Sequence, residues 1–223
     1  YRDFPHFIDT WIWRNTFLRE YEDFAFVAEA VARDLASQGH RYVEAHISPS
    51  DFRRHGLESL RVIEAMRSGL DRVTAVEVAL IVDLVRDSEL SLAESNLAAA
   101  REARDLGVIG IGLGGSEQSY PPEPFAYLYD RARAAGLHTT AHAGEAAGAA
   151  SIWGALDGLH AERIGHATRA CEDERLLDAL ARRAIPLEMC PISNVCTGVL
   201  PSVAAHPLRR YRERGLIVTV NTD

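Results

Sequence analysis

The sequence predicts a parallel α/β barrel, (β/α)8 in type, with seven of its eight strands inside the chain. Three observations carry that reading. Strand-like and helix-like segments alternate from end to end, and such alternation builds parallel sheets because parallel neighbours need a crossover. The strands read as near-continuous apolar runs, the mark of sheets covered on both faces. The GxGxxG turn of an open dinucleotide-binding sheet is absent: Gly110, Gly112, Gly114 and Gly115 follow a different spacing. With about 250 residues typical of eight βα units, 223 residues holding seven strands suggest that the first strand lies outside the chain. No linker-like stretch divides residues 1–223, so one incomplete barrel domain is expected.

In order, an aromatic segment carrying Phe7, Trp11 and Trp13 opens the chain. Residues 21–38 place Phe24, Val27, Ala28, Val31 and Leu35 at helical spacing, and Gly39 can end the helix. Strands are expected over 41–47, 73–82, 107–113, 137–142, 161–165, 184–190 and 216–221. Helices are expected between them over 57–67, 92–104, 125–135, 149–159, 171–183 and 203–214.

Composition narrows the function. The chain is 47% hydrophobic and 25% charged, ordinary for a globular protein, with a net charge of −8. An acidic balance argues against a nucleic-acid partner and for a small molecule. Cys171, Cys190 and Cys196 form no CxxC pair, so neither a disulfide scaffold nor a thiolate zinc knuckle is expected. No run of about 18 apolar residues is present to span a membrane, and no leader is visible in a chain that begins at Tyr1. A cytoplasmic setting is the expectation.

Polar residues follow the strands: His46 and Ser48, Ser116 and Glu117, His142 and Glu145, His166, Asn194, and Asp223. In a parallel barrel the strand ends open on one face, where sites form. A single strand-end histidine is more often structural; the repetition of the pattern shifts the odds. In Thr140-Ala141-His142-Ala143-Gly144-Glu145 an imidazole able to bind a metal stands three residues before an acid, with small residues that let the backbone turn.

Five segments occur together in this order: GLGGSE (112–117), HAGE (142–145), RIGHA (163–167), CPISN (190–194) and NTD (221–223). The sequence resembles the adenosine deaminase family, including its adenine and aminodeoxyfutalosine deaminase branches, over essentially its whole length. The resemblance implies a metal-dependent hydrolase barrel with one divalent metal, zinc, and hydrolytic deamination of an adenine-containing small molecule such as a nucleoside. It implies that His142 and Asp223 ligate the metal and that Glu145 protonates the purine ring. It also implies that His166 holds or deprotonates the attacking water, that the Gly115 N–H meets the purine, and that Phe7 and Trp11 belong to an apolar lid. Core packing remains an equal account of those two aromatics.

Two departures stand out. The family's His-x-His pair, which supplies two further ligands, occurs nowhere in this chain, and the second Asp expected after Asp223 is not in it. His46 also stands where adenosine deaminases often carry Arg. A segment of a longer protein accounts for the first two. Such a segment alone is expected to bind zinc poorly and not to deaminate. A metal-free binding barrel is the competing account, and another metal hydrolase on the same barrel is a third. Two-metal amidohydrolases often carry a bridging Lys, and this chain offers no strand-end Lys. The H-x-E with P-C-x-x-C signature of nucleic-acid deaminases is absent. Which adenine compound is used, and the oligomeric state, stay open.

Overall fold

The structure is a computed structural model and describes all of Tyr1–Asp223. Its helices are α1 (Phe4–Arg14), α2 (Tyr21–Ser37), α3 (Ser59–Leu70), α4 (Leu90–Glu102), α5 (Ala126–Ala134), α6 (Ala149–Trp153), α7 (Glu174–Arg182), α8 (Pro191–Cys196) and α9 (Leu208–Glu213). The strands are β1 (Tyr42–Ile47), β2 (Glu77–Val85), β3 (Val108–Gly114), β4 (His138–Ala143), β5 (Arg163–His166), β6 (Leu187–Met189) and β7 (Val218–Val220). Short 3-10 turns and one π-turn, Gly154–Gly158, link them. No helix is long and apolar enough to cross a membrane.

The chain divides into two compact units. One comprises Ile12–Gly112 with Arg131–His138. Its strands neighbour in chain order, and β1 pairs parallel to β2 in the register Tyr42↔Glu77 through Ile47↔Val82. β2 is buried from Val78 to Leu84, as a strand covered on both faces must be. Phe24, Ala28 and Ala32 repeat every four residues on α2 and form its buried stripe. Phe24 meets Phe52 edge-on at 4.6 Å, over a cluster with Leu57 and Val62. Val27 and Val31, expected to face inward, are instead exposed.

The other unit comprises Tyr1–Trp11, Leu113–Asp130 and Thr139–Asp223. β4, β5, β6 and β7 pair in that order, all parallel. Neither unit reverses its strand order, as a doubly wound sheet does at its switch point. That single direction of winding belongs to the (β/α) barrel class. Helix α7 starts at Asp173, whose carboxylate accepts the N–H groups of Arg175 and Leu176 and the indole N–H of Trp153. These bonds hold the Asp173 carboxyl below its ordinary range, the Trp153 bond most of all.

All seven expected strands are present, with shifted limits. The second begins at Glu77 rather than 73, since the residues before it turn out of α3. The helix expected over 171–183 is cut by the Asp173 cap into a 3-10 turn and α7. The one expected over 203–214 begins as a separate 3-10 turn, Val203–Ala205, ahead of α9.

Candidate active site

Four turns of the second unit carry the candidate chemistry. β4 ends at Ala143, and Gly144 then turns with φ +77. A Cβ there would fall 2.4 Å from Ile152 Cδ1, so the turn accepts only glycine. It brings Glu145 back over the strand that carries His142. Its backbone is held by one side chain. Glu117 Oε1 accepts from Gly144 N–H at 2.5 Å, and Oε2 accepts from Glu145, Ala146 and Ala147 N–H at 3.0, 2.7 and 3.0 Å. A buried carboxylate taking four amide protons is an anion in a backbone nest.

β5 ends in a left-handed turn, with His166 at φ +63 and Ala167 at +51. Non-glycine residues in that region cost of order 1–3 kcal/mol each and persist where their surroundings fix them. Here Ala167 N–H donates to Ala143 O at 3.0 Å and Arg169 N–H to Gly144 O at 2.9 Å. The buried Tyr211 hydroxyl lies 3.1 Å from Ala167 O and from Thr168 O, and it accepts from Cys171 N–H at 2.8 Å.

After β6, Pro191 takes the first turn of α8, where its missing N–H costs nothing. Asn194 on this helix is fully buried. Its amide N lies 3.1 Å from both Glu145 Oε1 and His166 Nδ1, and its Oδ1 faces Thr168 Oγ1 at 3.0 Å and His206 Nε2 at 3.3 Å. Beyond β7, Asp223 accepts from Ser193 Oγ at 2.5 Å.

Four sequence-predicted residues therefore meet. His142 Nε2 is 3.9 Å from Asp223 Oδ1, and His166 Nε2 is 3.7 Å from that oxygen and 3.5 Å from Glu145 Oε2. Donor atoms of His142, His166 and Asp223 all lie within 4.8 Å of one another. His142 and Asp223 offer an imidazole nitrogen and a carboxylate oxygen that fit a divalent ion of the zinc kind, with the His166 imidazole beside them.

Burial pushes the Glu145 carboxyl up to about 7; Asp223 and Glu117 add to the rise, while His166 and the Asn194 amide oppose it. Burial disfavours the charged form of His166, but Glu145, Asp223, Glu117 and Glu188 outweigh it and hold the imidazole above its ordinary value. Burial likewise pushes Cys190 far up, which leaves it an inert thiol.

Glu145 lines a cavity of about 550 Å³ with Phe4, Pro5, Gln118, Thr168, Arg169 and Leu200 among others. Of the N-terminal segment that carries the two expected lid aromatics, Phe4 and Pro5 border this cavity. Phe7 and Trp11 do not; they stack on one another at 6.4 Å, and Phe7 also packs on Tyr1 and Phe4. Gly115 follows β3 in a left-handed turn at φ +100, two residues before Glu117. In the other unit, His46 Nδ1 pairs with Asp83 Oδ1 at 3.0 Å. Sequence reasoning assigned no role to Glu117, Asn194, His206 or Tyr211.

A parallel barrel whose strand ends gather two histidines, an aspartate and a buried acid has the arrangement of a metal-dependent hydrolase. A profile of the family described as "Adenosine deaminase" matches residues 1–223, and the chain belongs to that family. An aminodeoxyfutalosine deaminase of Streptomyces coelicolor is 37% identical over 228 residues, covering 100% of this chain and 59% of that protein. The chain thus spans about three-fifths of this relative's length. The crystal structure of adenine deaminase from Arthrobacter aurescens matches with a TM-score of 0.88 and 32% identity, covering 100% of this chain and 69% of that one. An amidohydrolase structure from Burkhoderia ambifaria, described with bound Zn, matches at 0.85 and 28%, covering 92% and 59%.

Proposed function

We propose that the chain carries the site of a hydrolytic deaminase for an adenine-containing small molecule of the adenosine type, releasing a 6-oxopurine and ammonia. The observation that carries this is the meeting of His142, His166 and Asp223 with a buried acid, Glu145, which itself lines a cavity. His142 and Asp223 would hold zinc with His166 beside it, and the ion supplies Lewis acidity that lowers the pKa of water toward about 7.

The chain's own residues do the rest. A carboxyl raised to about 7 retains its proton in a good fraction of molecules at neutral pH. Glu145 can therefore donate to the ring nitrogen beside the amine-bearing carbon, drawing electrons from that carbon as water attacks. The carbon–nitrogen bond breaks; one of water's two protons leaves with the amine as ammonia and the other restores Glu145, whose own proton stays on the ring nitrogen of the 6-oxopurine. His166 presents Nε2 to the same space. A cavity of about 550 Å³ falls in the range of about 300–1,000 Å³ typical of drug-sized ligands.

The test is ammonia release by the full-length protein from adenosine, adenine and aminodeoxyfutalosine, with metal analysis of the same sample. Turnover of adenosine or aminodeoxyfutalosine is expected. Glu145→Gln is expected to lower kcat by about 10²–10⁴ with metal content unchanged. Activity within a few-fold of wild type would remove Glu145 from the mechanism. No release from any of the three compounds by the metal-loaded protein sinks the reading.

A further inference from the structure

The turn before α9 holds a histidine that the mechanism above does not use. Leu208 N–H points at His206 Nδ1 from 3.2 Å. That nitrogen is therefore an acceptor, and neutral His206 carries its proton on Nε2. Burial is the larger cause that holds His206 below the ordinary imidazole value, in keeping with a neutral ring.

His206 Nε2–H then donates to Asn194 Oδ1 at 3.3 Å, and Thr168 Oγ–H donates to the same oxygen at 3.0 Å. Two donors on one side leave the buried amide a single orientation. Swapping its oxygen and nitrogen would set N–H against N–H in a buried space. Both amide protons are consequently committed, one to Glu145 Oε1 and one to His166 Nδ1, each at 3.1 Å.

We propose that Asn194, oriented by His206 and Thr168, is a positioning residue that fixes His166 in its Nε2–H tautomer and, by occupying Oε1 of Glu145, leaves Oε2 as the oxygen turned toward His166. His166 Nε2–H then faces Glu145 Oε2 across 3.5 Å. Of the two roles open to His166, a proton on Nε2 selects holding water by its oxygen over removing water's proton. The consequence for catalysis rests on the deaminase reading; the tautomer does not.

The experiment labels histidine with ¹⁵N in the full-length protein and records long-range ¹H–¹⁵N spectra, which separate the two neutral tautomers. The His166 signals are assigned by their loss in His166→Gln. Neutral His166 is expected as Nε2–H in the wild type. Asn194→Asp keeps the shape and replaces the donor by an acceptor. It is expected to move the His166 proton to Nδ1 and to lower kcat by about 10²-fold with KM within a few-fold.

An Nδ1–H tautomer in the wild type overturns the proposal whether or not the variant folds. So does an Asn194→Asp protein with unchanged tautomer and kcat. A wild type with the Nε2–H tautomer but no turnover of any adenine compound supports the positioning role and defeats the deaminase reading.

Discussion

Replacing Glu117 tests whether the turn bearing Glu145 is held by one carboxylate. In Glu117→Ala four backbone N–H groups lose their acceptor at once. The bonds from Gly144 and Glu145 are buried, while those from Ala146 and Ala147 are partly open and can turn to water. A buried donor left unsatisfied costs about 1–3 kcal/mol, so the two buried ones give about 2–6 kcal/mol. An opposing effect is the recovery of the cost of burying the carboxylate itself, near Glu145. That relief pulls the expectation toward the lower half of the range. It does not cancel it, because removing one partner of a buried charged network leaves the others in place.

With a urea m-value of about 3 kcal/mol/M for a chain of this size, 2–6 kcal/mol lowers the unfolding midpoint by roughly 0.7–2 M. Glu117→Gln should fall between wild type and Ala. Its one oxygen can still serve the three donors on the Oε2 side, but its NH2 meets one N–H head-on. Urea titration of the three proteins, followed by tryptophan fluorescence, is the assay. A midpoint shift under about 0.3 M for Glu117→Ala, with m unchanged, corresponds to less than about 1 kcal/mol and refutes the argument.

Tyr211→Phe removes the hydroxyl that joins Ala167 O, Thr168 O and Cys171 N–H. A loss of about 1–3 kcal/mol is expected, read as a lower Tm, and an unchanged Tm counts against the bracing role. His206 has its folded pKa depressed, so below about pH 6.5 the folded chain binds fewer protons than the unfolded one. Its contribution to stability is full above that pH and is lost as pH falls toward the folded value. Urea midpoints of wild type and His206→Gln should therefore diverge least in acid and most near neutrality. A constant difference across that window would show that His206 does not titrate as argued.

Much of this was legible in the sequence. Strand-end histidines and carboxylates stood at fixed offsets from apolar runs, and His142, Glu145, His166 and Asp223 do meet. Element limits were less legible, because apolarity marks a buried run without marking where pairing starts. Val73 and Val76 look like strand, yet the ladder opens at Tyr42↔Glu77. The braces were least legible. Asn194 reaches Glu145 across 49 residues, Tyr211 reaches Ala167 across 44, and Glu117 reaches Gly144 across 27. No periodicity connects such pairs; only the meeting of strand ends does. Two signals were nonetheless available. Glu117 directly follows a glycine-rich strand end, and Pro191 three residues before Asn194 marks a helix start.

Glu145 stands on the turn after β4 and His166 on the last residue of β5, where a left-handed turn strained at two successive residues begins. Turns are the more mobile parts of a fold, whereas acid–base transfer needs groups held within fractions of an ångström. The conflict is resolved by three buried polar side chains, none of them required to touch a ligand. Glu117 fixes the backbone of the first turn, Tyr211 that of the second, and Asn194 ties the two reacting side chains together. Preorganisation of this kind places the polar cost in the folded state, before any substrate arrives. Sensitivity to mutation should therefore reach well behind the cavity wall. On the proposed deaminase reading, loss of a brace should lower kcat more than it raises KM, because the groups it positions would act in the transition state while the cavity lining is kept.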